Sequence, residues 1–177
     1  MYIWVAVNVD EQVREIRNKA ESYINERELS SPTFALPFHI SLKISFYIQD
    51  DKFKNVVSDL RGYFKTLKPF TILTKGIEQS GTIVWITMQD NTDLTCIHKN
   101  LDDMLYEKHG IEQHPFDKSF LFHTSVCIMN NEDQARLAFD ATKDINVPKE
   151  LKAESFIIGC SESGKAGTFK MIEEIVV

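Results

Sequence analysis

Two histidines in this sequence share one short pattern, histidine–any residue–serine, and each copy lies in a short apolar run. The copies are His39-Ile40-Ser41 and His123-Thr124-Ser125. Imidazole titrates near neutral pH, so one ring can accept a proton while the other donates one. A hydroxyl can donate a hydrogen bond to an oxygen that carries developing charge. If the two copies face each other, they suit an in-line displacement at phosphorus, with the histidines as acid and base and the serines bound to phosphate oxygens.

The runs around both patterns are rich in aromatic and branched residues, which indicates β-strands. We predict strands over residues 38–48 and 119–129. Side chains two positions apart lie on the same face of a strand, so each strand presents its histidine and serine together. The same rule adds Lys43 to the first pair, where its ammonium could neutralise a bound phosphate. The corresponding residue of the second strand is Cys127, so the two copies need not contribute equally.

The remaining elements follow from hydrophobic periodicity and from turn and capping residues. Further strands are predicted over residues 2–9, 70–78, 82–89, 151–160 and 168–176, and helices over 11–27, from Asp50 to Pro69, from Asn91 to Gly110, and after Asn131. The order is strand, helix, histidine strand, helix, strand. It occurs twice, and one strand is added at the end.

Short sequence similarities repeat at nearly one separation and indicate an internal duplication. Ile3-Trp4-Val5 resembles Val84-Trp85-Ile86, and residues 76–81 resemble residues 159–164, at about the separation of the two histidines. Two copies with so long a period do not make a solenoid. We therefore predict one α+β domain over residues 1–177, built from halves 1–81 and 82–177 as two pseudo-symmetric lobes. Each lobe would be an antiparallel sheet with helices on its outer face, and the inner faces would line a central cleft.

Composition and charge exclude several classes of protein. The chain has 177 residues, 43% of them hydrophobic, and a net charge of -6, so a duplex DNA-binding face is not expected. A small nucleotide phosphodiester or an RNA end remains compatible with that charge. No apolar run approaches the roughly 20 residues of a membrane span. The three cysteines are widely spaced and match no zinc pattern, which suggests reduced thiols. We expect a cytoplasmic monomer without a membrane partner.

Two tryptophans and three further histidines complete the set of candidates. Trp4 and Trp85 occupy equivalent strands, and they could bind substrate by stacking on a nucleobase if they face the cleft. The alternative is that each tryptophan packs within its lobe. Outside the repeated pattern, we expect the histidines to lie on the surface or in loops. They are His98, His109 and His114.

With these residues in view, the chain resembles the 2H phosphoesterase superfamily, which includes 2′-5′ RNA ligase-like proteins and cyclic phosphodiesterases. The first motif, at residues 37–43, fits the family well, and the second, at residues 122–126, fits in its core but lacks the proline often found before its histidine. The resemblance implies two lobes around a deep cleft, with both chain termini in one lobe. It also implies hydrolysis of 2′,3′-cyclic phosphates or 2′,5′-linked phosphodiesters without a metal or another cofactor, although some members ligate RNA ends. By position, it makes His39 and His123 the catalytic pair and Ser41 and Ser125 the phosphate-binding residues.

Three functions of different class remain open from the sequence. The first is a metal-independent phosphodiesterase acting on an RNA end or a nucleotide, and the second is a non-catalytic module that binds the same ligands. The third is a metal site built on His39 and His123, which lacks a carboxylate or thiol at ligand spacing beside either histidine. The presence of two acid–base groups favours the first function, because binding alone does not need them.

Overall fold

The computed structural model describes residues 1–177 and contains four α-helices and nine β-strands. The helices are α1 (Arg14–Asn25), α2 (Phe53–Phe64), α3 (Thr92–His109) and α4 (Glu132–Thr142). The strands are β1 (Tyr2–Asn8), β2 (His39–Ser41), β3 (Phe46–Tyr47), β4 (Phe70–Ser80), β5 (Ile83–Met88), β6 (His123–Ile128), β7 (Glu150–Ala153), β8 (Ser155–Ser161) and β9 (Lys170–Val176). No helix combines the length and the apolar character needed to cross a membrane.

The strands form two antiparallel sheets, which confirms the predicted α+β fold. One sheet has the order β2-β1-β8-β9, with β3 also paired to β1, and the other has the order β6-β5-β4-β7. In both sheets a histidine strand lies at the edge and pairs with a tryptophan strand, β2 with β1 and β6 with β5. The two edge strands approach each other at the centre of the molecule.

The two sheets do not coincide with the two halves of the sequence, 1–81 and 82–177. The C-terminal strands β8 and β9 complete the sheet that contains β1, and β4, from the first half, lies in the other sheet. Both chain ends therefore belong to one sheet, as the family resemblance implies. The strand β4 pairs with β5 through a tight turn at Gly81, whose φ of +55° suits glycine. Because of this hairpin, β4 lies in the same sheet as β5.

One continuous hydrophobic core joins the two lobes. A single cluster of 35 buried residues includes side chains from both sheets and from all four helices, so the lobes share one interior and not two. Each helix contributes one apolar stripe, such as Ile16, Ala20 and Ile24 of α1. Helix α1 packs on α4 and β6, and Phe64 of α2 stacks on Phe156 of β8 with ring centroids 5.0 Å apart.

Both histidine strands are shorter than predicted. The chain bends after Ser41 and becomes extended again only at Phe46, so the predicted strand 38–48 is two short strands, β2 and β3. In the other lobe, Pro115–Ser119 forms a short 3-10 helix, and the strand begins at His123 itself. The bend at residues 42–43 matters for the site, because the alternation of side chains that starts at His39 ends there.

Candidate active site

A cavity of about 320 Å³ lies between the edge strands β2 and β6, and residues of both lobes line it. The four residues of the paired pattern all face it: His39, Ser41, His123 and Ser125. The residue between each histidine and serine is fully buried on the opposite face of its strand. The alternation predicted from the sequence therefore places two imidazoles and two hydroxyls on one shared cavity.

Each imidazole is oriented by the same local hydrogen bond. His39 Nδ1 lies 2.8 Å from the carbonyl oxygen of Pro37, and His123 Nδ1 lies 2.8 Å from that of Leu121. Because a carbonyl oxygen only accepts, Nδ1 carries the hydrogen in both rings. The neutral form of each ring then has its lone pair on Nε2, which makes no hydrogen bond within the protein. Both rings are thus prepared to accept a proton at Nε2 or to donate one from it.

The environment of both histidines disfavours the charged form. Burial lowers the pKa of His39 to about 4, the positive charges of His123 and Arg17 act in the same direction, and the hydrogen bond to Pro37 opposes them. Burial also lowers the pKa of His123, against the hydrogen bond to Leu121. Both rings are therefore mainly neutral at pH 7 in the unliganded protein. A bound phosphate anion would favour protonation of one of them, because opposite charges stabilise each other at short range.

The two serines differ in their hydrogen bonds. Ser41 Oγ accepts a bond of 3.3 Å from Trp4 Nε1, which leaves the hydroxyl proton free to be donated to a ligand. Ser125 lies opposite Trp85 in the β5–β6 pair, but Trp85 Nε1 is buried without an acceptor. Each serine can still donate one hydrogen bond into the cavity.

Both tryptophans pack against the imidazoles of the repeated pattern. The ring of Trp4 meets His39 edge-on with centroids 4.4 Å apart, and Trp85 contacts His123 at 4.6 Å. Trp4 lines the cavity, but only 6% of its surface is exposed. These contacts favour the alternative in which the tryptophans pack within their lobes, each against the histidine of the neighbouring strand.

Lys43 lines the cavity, but its ammonium is paired with two carboxylates and is not the free cation that the sequence suggested. Its side chain is buried, and its ammonium donates to Asp102 and, at 2.7 Å, to Asp117 Oδ2. The prediction assumed that the strand continues past Ser41, and the bend at residues 42–43 breaks that assumption. Cys127, its counterpart, lies in the hydrophobic core, where burial raises the pKa of the thiol to about 12.

The other three histidines have three different environments. His114 is exposed and accepts a hydrogen bond from the backbone of Phe116, as a surface residue can. His109 is half-buried and contacts Asp59 at 2.9 Å. His98 is buried, so its predicted surface position is wrong. Its spacing in α3 gives the signal that was missed, because it falls on the apolar stripe of the helix between Leu94 and Leu101.

Sequence reasoning also missed the apolar walls of the cavity. They come from Leu36 and Pro37 on one side, from Phe120 ahead of β6, and from Phe169 ahead of β9. A larger cavity of about 660 Å³ lies beyond the segment 43–45, but it contains none of the paired histidines and serines. The arrangement of chemical groups, and not volume, therefore identifies the site. No group of three or more His, Cys, Asp or Glu side chains is arranged to hold a metal ion.

Comparison with known structures shows what fold the chain has. TT0787 of Thermus thermophilus matches with a TM-score of 0.66 and 17% identity, over 99% of this chain and 97% of that one. E. coli LigT complexed with 3′-AMP matches with a TM-score of 0.60 and 16% identity, over 99% and 97%. Kluyveromyces marxianus Usb1 matches with a TM-score of 0.52 and 10% identity, over 99% and 98%.

These matches extend over the whole chain and include a structure described as a phosphoesterase, at a TM-score of 0.61 and 18% identity. By sequence, no family model and no curated protein matches the chain. The chain therefore has the LigT-like, two-lobed fold, which is the fold that the resemblance to the 2H phosphoesterase superfamily implies.

Proposed function

We propose that this chain is a metal-independent phosphodiesterase that hydrolyses 2′,3′-cyclic phosphates or 2′,5′-linked phosphodiesters of RNA ends or nucleotides. One observation carries the proposal. Two histidines from opposite lobes face one cavity, and the same backbone hydrogen bond leaves Nε2 of each ring available. Such a pair provides a base and an acid on opposite sides of a phosphorus atom, which an in-line displacement requires.

The reaction follows from this geometry. One histidine accepts a proton from water through Nε2 while the water oxygen attacks phosphorus. The bond from phosphorus to the ribose oxygen breaks on the far side, and the other histidine donates its Nε2 proton to that leaving oxygen. Ser41 and Ser125 donate hydrogen bonds to the non-bridging oxygens, where negative charge increases in the transition state. The product is a phosphate monoester with a free ribose hydroxyl.

The size of the cavity and the neighbouring structures support a nucleotide substrate. A cavity of about 320 Å³ is in the range of sites that bind small molecules. E. coli LigT has been observed with 3′-AMP, NADP+, ATP and phosphate. The net charge of -6 favours a small or terminal phosphodiester over a long nucleic acid. A nucleotide or an RNA end therefore fits this site better than an extended strand.

Ligation is the second candidate, because the same acid–base pair can serve a different nucleophile. The 5′-hydroxyl of a second RNA end would replace water and attack the 2′,3′-cyclic phosphate, the bond from phosphorus to the 3′-oxygen would break with protonation of that oxygen, and a 2′-5′ bond would form. A module that only binds nucleotides is the third candidate. It does not explain why both imidazoles keep Nε2 available on the same cavity.

The test is hydrolysis of the four nucleoside 2′,3′-cyclic monophosphates and of an oligoribonucleotide with a 2′,3′-cyclic end, all in EDTA. The double variant H39A/H123A and the control H109A, altered outside the cavity, are assayed in parallel. Turnover by the wild type and by H109A, but not by the double variant, supports the proposal. Joining of the cyclic end to a 5′-hydroxyl oligoribonucleotide would support ligation. Binding without turnover would support the binding module and overturn the proposal.

A further inference from the structure

A buried histidine outside the cavity hydrogen-bonds to two chain segments, one directly after β2 and one before β6. His98 lies on α3, is 8% exposed, and does not line the cavity. Its Nδ1 is 2.7 Å from the carbonyl oxygen of Leu42, and its Nε2 is 3.0 Å from the carbonyl oxygen of Asp117. The two ring nitrogens of His98 therefore connect two chain segments that are far apart in the sequence.

The two partners define which atoms of His98 carry hydrogen. Carbonyl oxygens only accept hydrogen bonds, so both ring nitrogens of His98 must donate. The ring then carries a positive charge, and its neighbours balance that charge. Asp102 lies 3.6 Å away on the next turn of α3, and Lys43 and Asp117 complete a buried cluster of two positive and two negative side chains. A buried charge is tolerated when it is paired and hydrogen-bonded in this way.

The two carbonyl groups belong to segments that flank the strands β2 and β6. Leu42 directly follows Ser41, at the point where the chain leaves β2. Asp117 lies in the short helix that leads into β6, and the next aromatic ring along that path, Phe120, stacks on His98 at 4.8 Å and lines the cavity. A further bond, from Ile44 N to Asp117 Oδ1 at 3.0 Å, joins the same two segments directly.

We infer that His98 is a positioning residue that fixes the distance between the two catalytic strands, through hydrogen bonds from both ring nitrogens to the segments that flank them. This inference rests on the proposed function for its effect on turnover. Acid–base catalysis needs the two imidazoles on opposite sides of one phosphorus atom, and a displacement of about 1 Å can lower a rate by roughly a hundredfold. Binding of phosphate by the residues of one strand alone would depend less on the distance between β2 and β6.

The first test examines the ring itself in the wild-type protein. NMR of the histidine side-chain nitrogens at pH 7 reports which of them carry hydrogen. We expect both nitrogens of His98 to be protonated, and Nδ1 alone in His39 and His123. A neutral His98 ring would overturn the inference, because one of its two bonds could not then form as described.

The second test uses three variants that remove different parts of the interaction. H98F keeps an aromatic ring against Phe120 but removes both donors, H98N keeps a donor near the position of Nδ1, and H98Q keeps one near Nε2. The matched control is H109F, which removes a histidine from the same helix away from the cavity. We expect kcat to fall about a hundredfold in H98F and about tenfold in H98N and H98Q, with KM changed less than about threefold.

The split between kcat and KM separates positioning from general stability. Each rate is divided by the folded fraction measured by urea unfolding, so loss of folded protein does not count as loss of activity. If H98F does not fold, H98N and H98Q decide the matter. A kcat within about twofold of the wild type in the folded variants would overturn the inference.

A third measurement needs no activity, and it separates failure of this inference from failure of the proposed function. Backbone hydrogen exchange is followed in segments 41–44 and 117–123. Loss of the two bonds is expected to speed exchange about tenfold or more in both segments of the folded His98 variants, and not in H109F. Unchanged exchange would overturn the inference. If the wild type hydrolyses no phosphodiester, the proposed function fails, and exchange and the NMR result still decide whether His98 joins the strands.

Discussion

The loop that leads to His39 and the loop that leads to His123 are held by different means. In the first lobe, Asp10 Oδ1 accepts a hydrogen bond of 2.7 Å from Phe38 N, and Arg17 donates to Asp10 and to the carbonyl oxygens of Phe34 and Leu36. The ion pair between Asp10 and Arg17 is only partly buried.

In the second lobe, the corresponding loop is held by the buried cluster around Asp117. One carboxylate oxygen of Asp117 accepts from Lys43 and from His114 N, and the other accepts from Ile44 N. That cluster also contacts the segment after β2, so it joins the lobes, whereas the Asp10–Arg17 pair acts within one lobe.

The comparison shows which features the two lobes share and which they do not. The two histidines and their immediate orientation are shared, since each ring bonds the carbonyl oxygen two residues earlier. The supports differ, as does the degree to which burial lowers the two pKa values. The two copies of the pattern therefore present equivalent imidazoles in surroundings that differ.

The largest expected effect comes from removing either catalytic histidine. We expect H39A and H123A each to lower kcat by about 10²- to 10⁴-fold, because each removes one of the two proton-transfer groups. Steady-state rates on the preferred cyclic phosphate check this, with H109A as the control. Retention of near wild-type turnover in either variant would contradict two-histidine catalysis.

The serine variants sharpen the comparison between the lobes. S41A and S125A should each lower kcat/KM by roughly tenfold to a thousandfold, through loss of one donor to the phosphate. Only S41A also removes the acceptor of the Trp4 indole, so it alone should lower the free energy of unfolding, by about 1–3 kcal/mol. Urea unfolding of both variants measures this difference. Equal unfolding free energies would show that the Trp4–Ser41 bond contributes nothing to stability.

The pH dependence of stability tests the burial of His39. In the unfolded chain this histidine titrates near 6.5, and in the folded protein its pKa is about 4. Between these values the unfolded state binds the proton and the folded state does not. Its contribution to stability is therefore fully present above pH 6.5 and is lost as pH falls toward 4, by up to roughly 3 kcal/mol.

The corresponding measurement is urea unfolding at pH 7 and pH 5 for the wild type, H39Q and H123Q. The free energy of unfolding should decrease from pH 7 to pH 5 in the wild type. This decrease should be reduced most in H39Q and less in H123Q, because burial also lowers the pKa of His123. The same loss in H39Q as in the wild type would show that His39 is not the group that titrates.

The smallest expected effect concerns the two tryptophans. W4F and W85F remove similar volumes beside the catalytic histidines, but only W4F removes a hydrogen bond, and W85F removes a buried N–H that has no acceptor. W4F should therefore be the less stable variant by about 1 kcal/mol. Thermal or urea unfolding of the pair checks the order, and a less stable W85F would reverse it.

The sequence determined the class of fold and identified the candidate catalytic residues. The alternation His39-Ile40-Ser41 fixed which side chains share a face, and the spacing of the repeats indicated two similar sheets. These features depend on neighbours within a few residues, where the geometry of a strand or a turn gives a direct rule. The histidine pair and both serines could therefore be identified before any contact was known, although their catalytic roles stay predictions until tested.

The tertiary structure alone decided which strands and which charged side chains pair when they lie far apart in the sequence. Strand β4 joins the second sheet and β8 and β9 the first, so each sheet combines strands from both halves of the sequence. Lys43 and His98 are buried together with Asp102 and Asp117, which lie up to 74 positions from Lys43. No periodicity encodes such pairs, because a buried charge is stabilised by whichever opposite charge folding brings to it. The sequence thus identified the candidate reacting groups, and the packing of the two lobes defined what holds them in place.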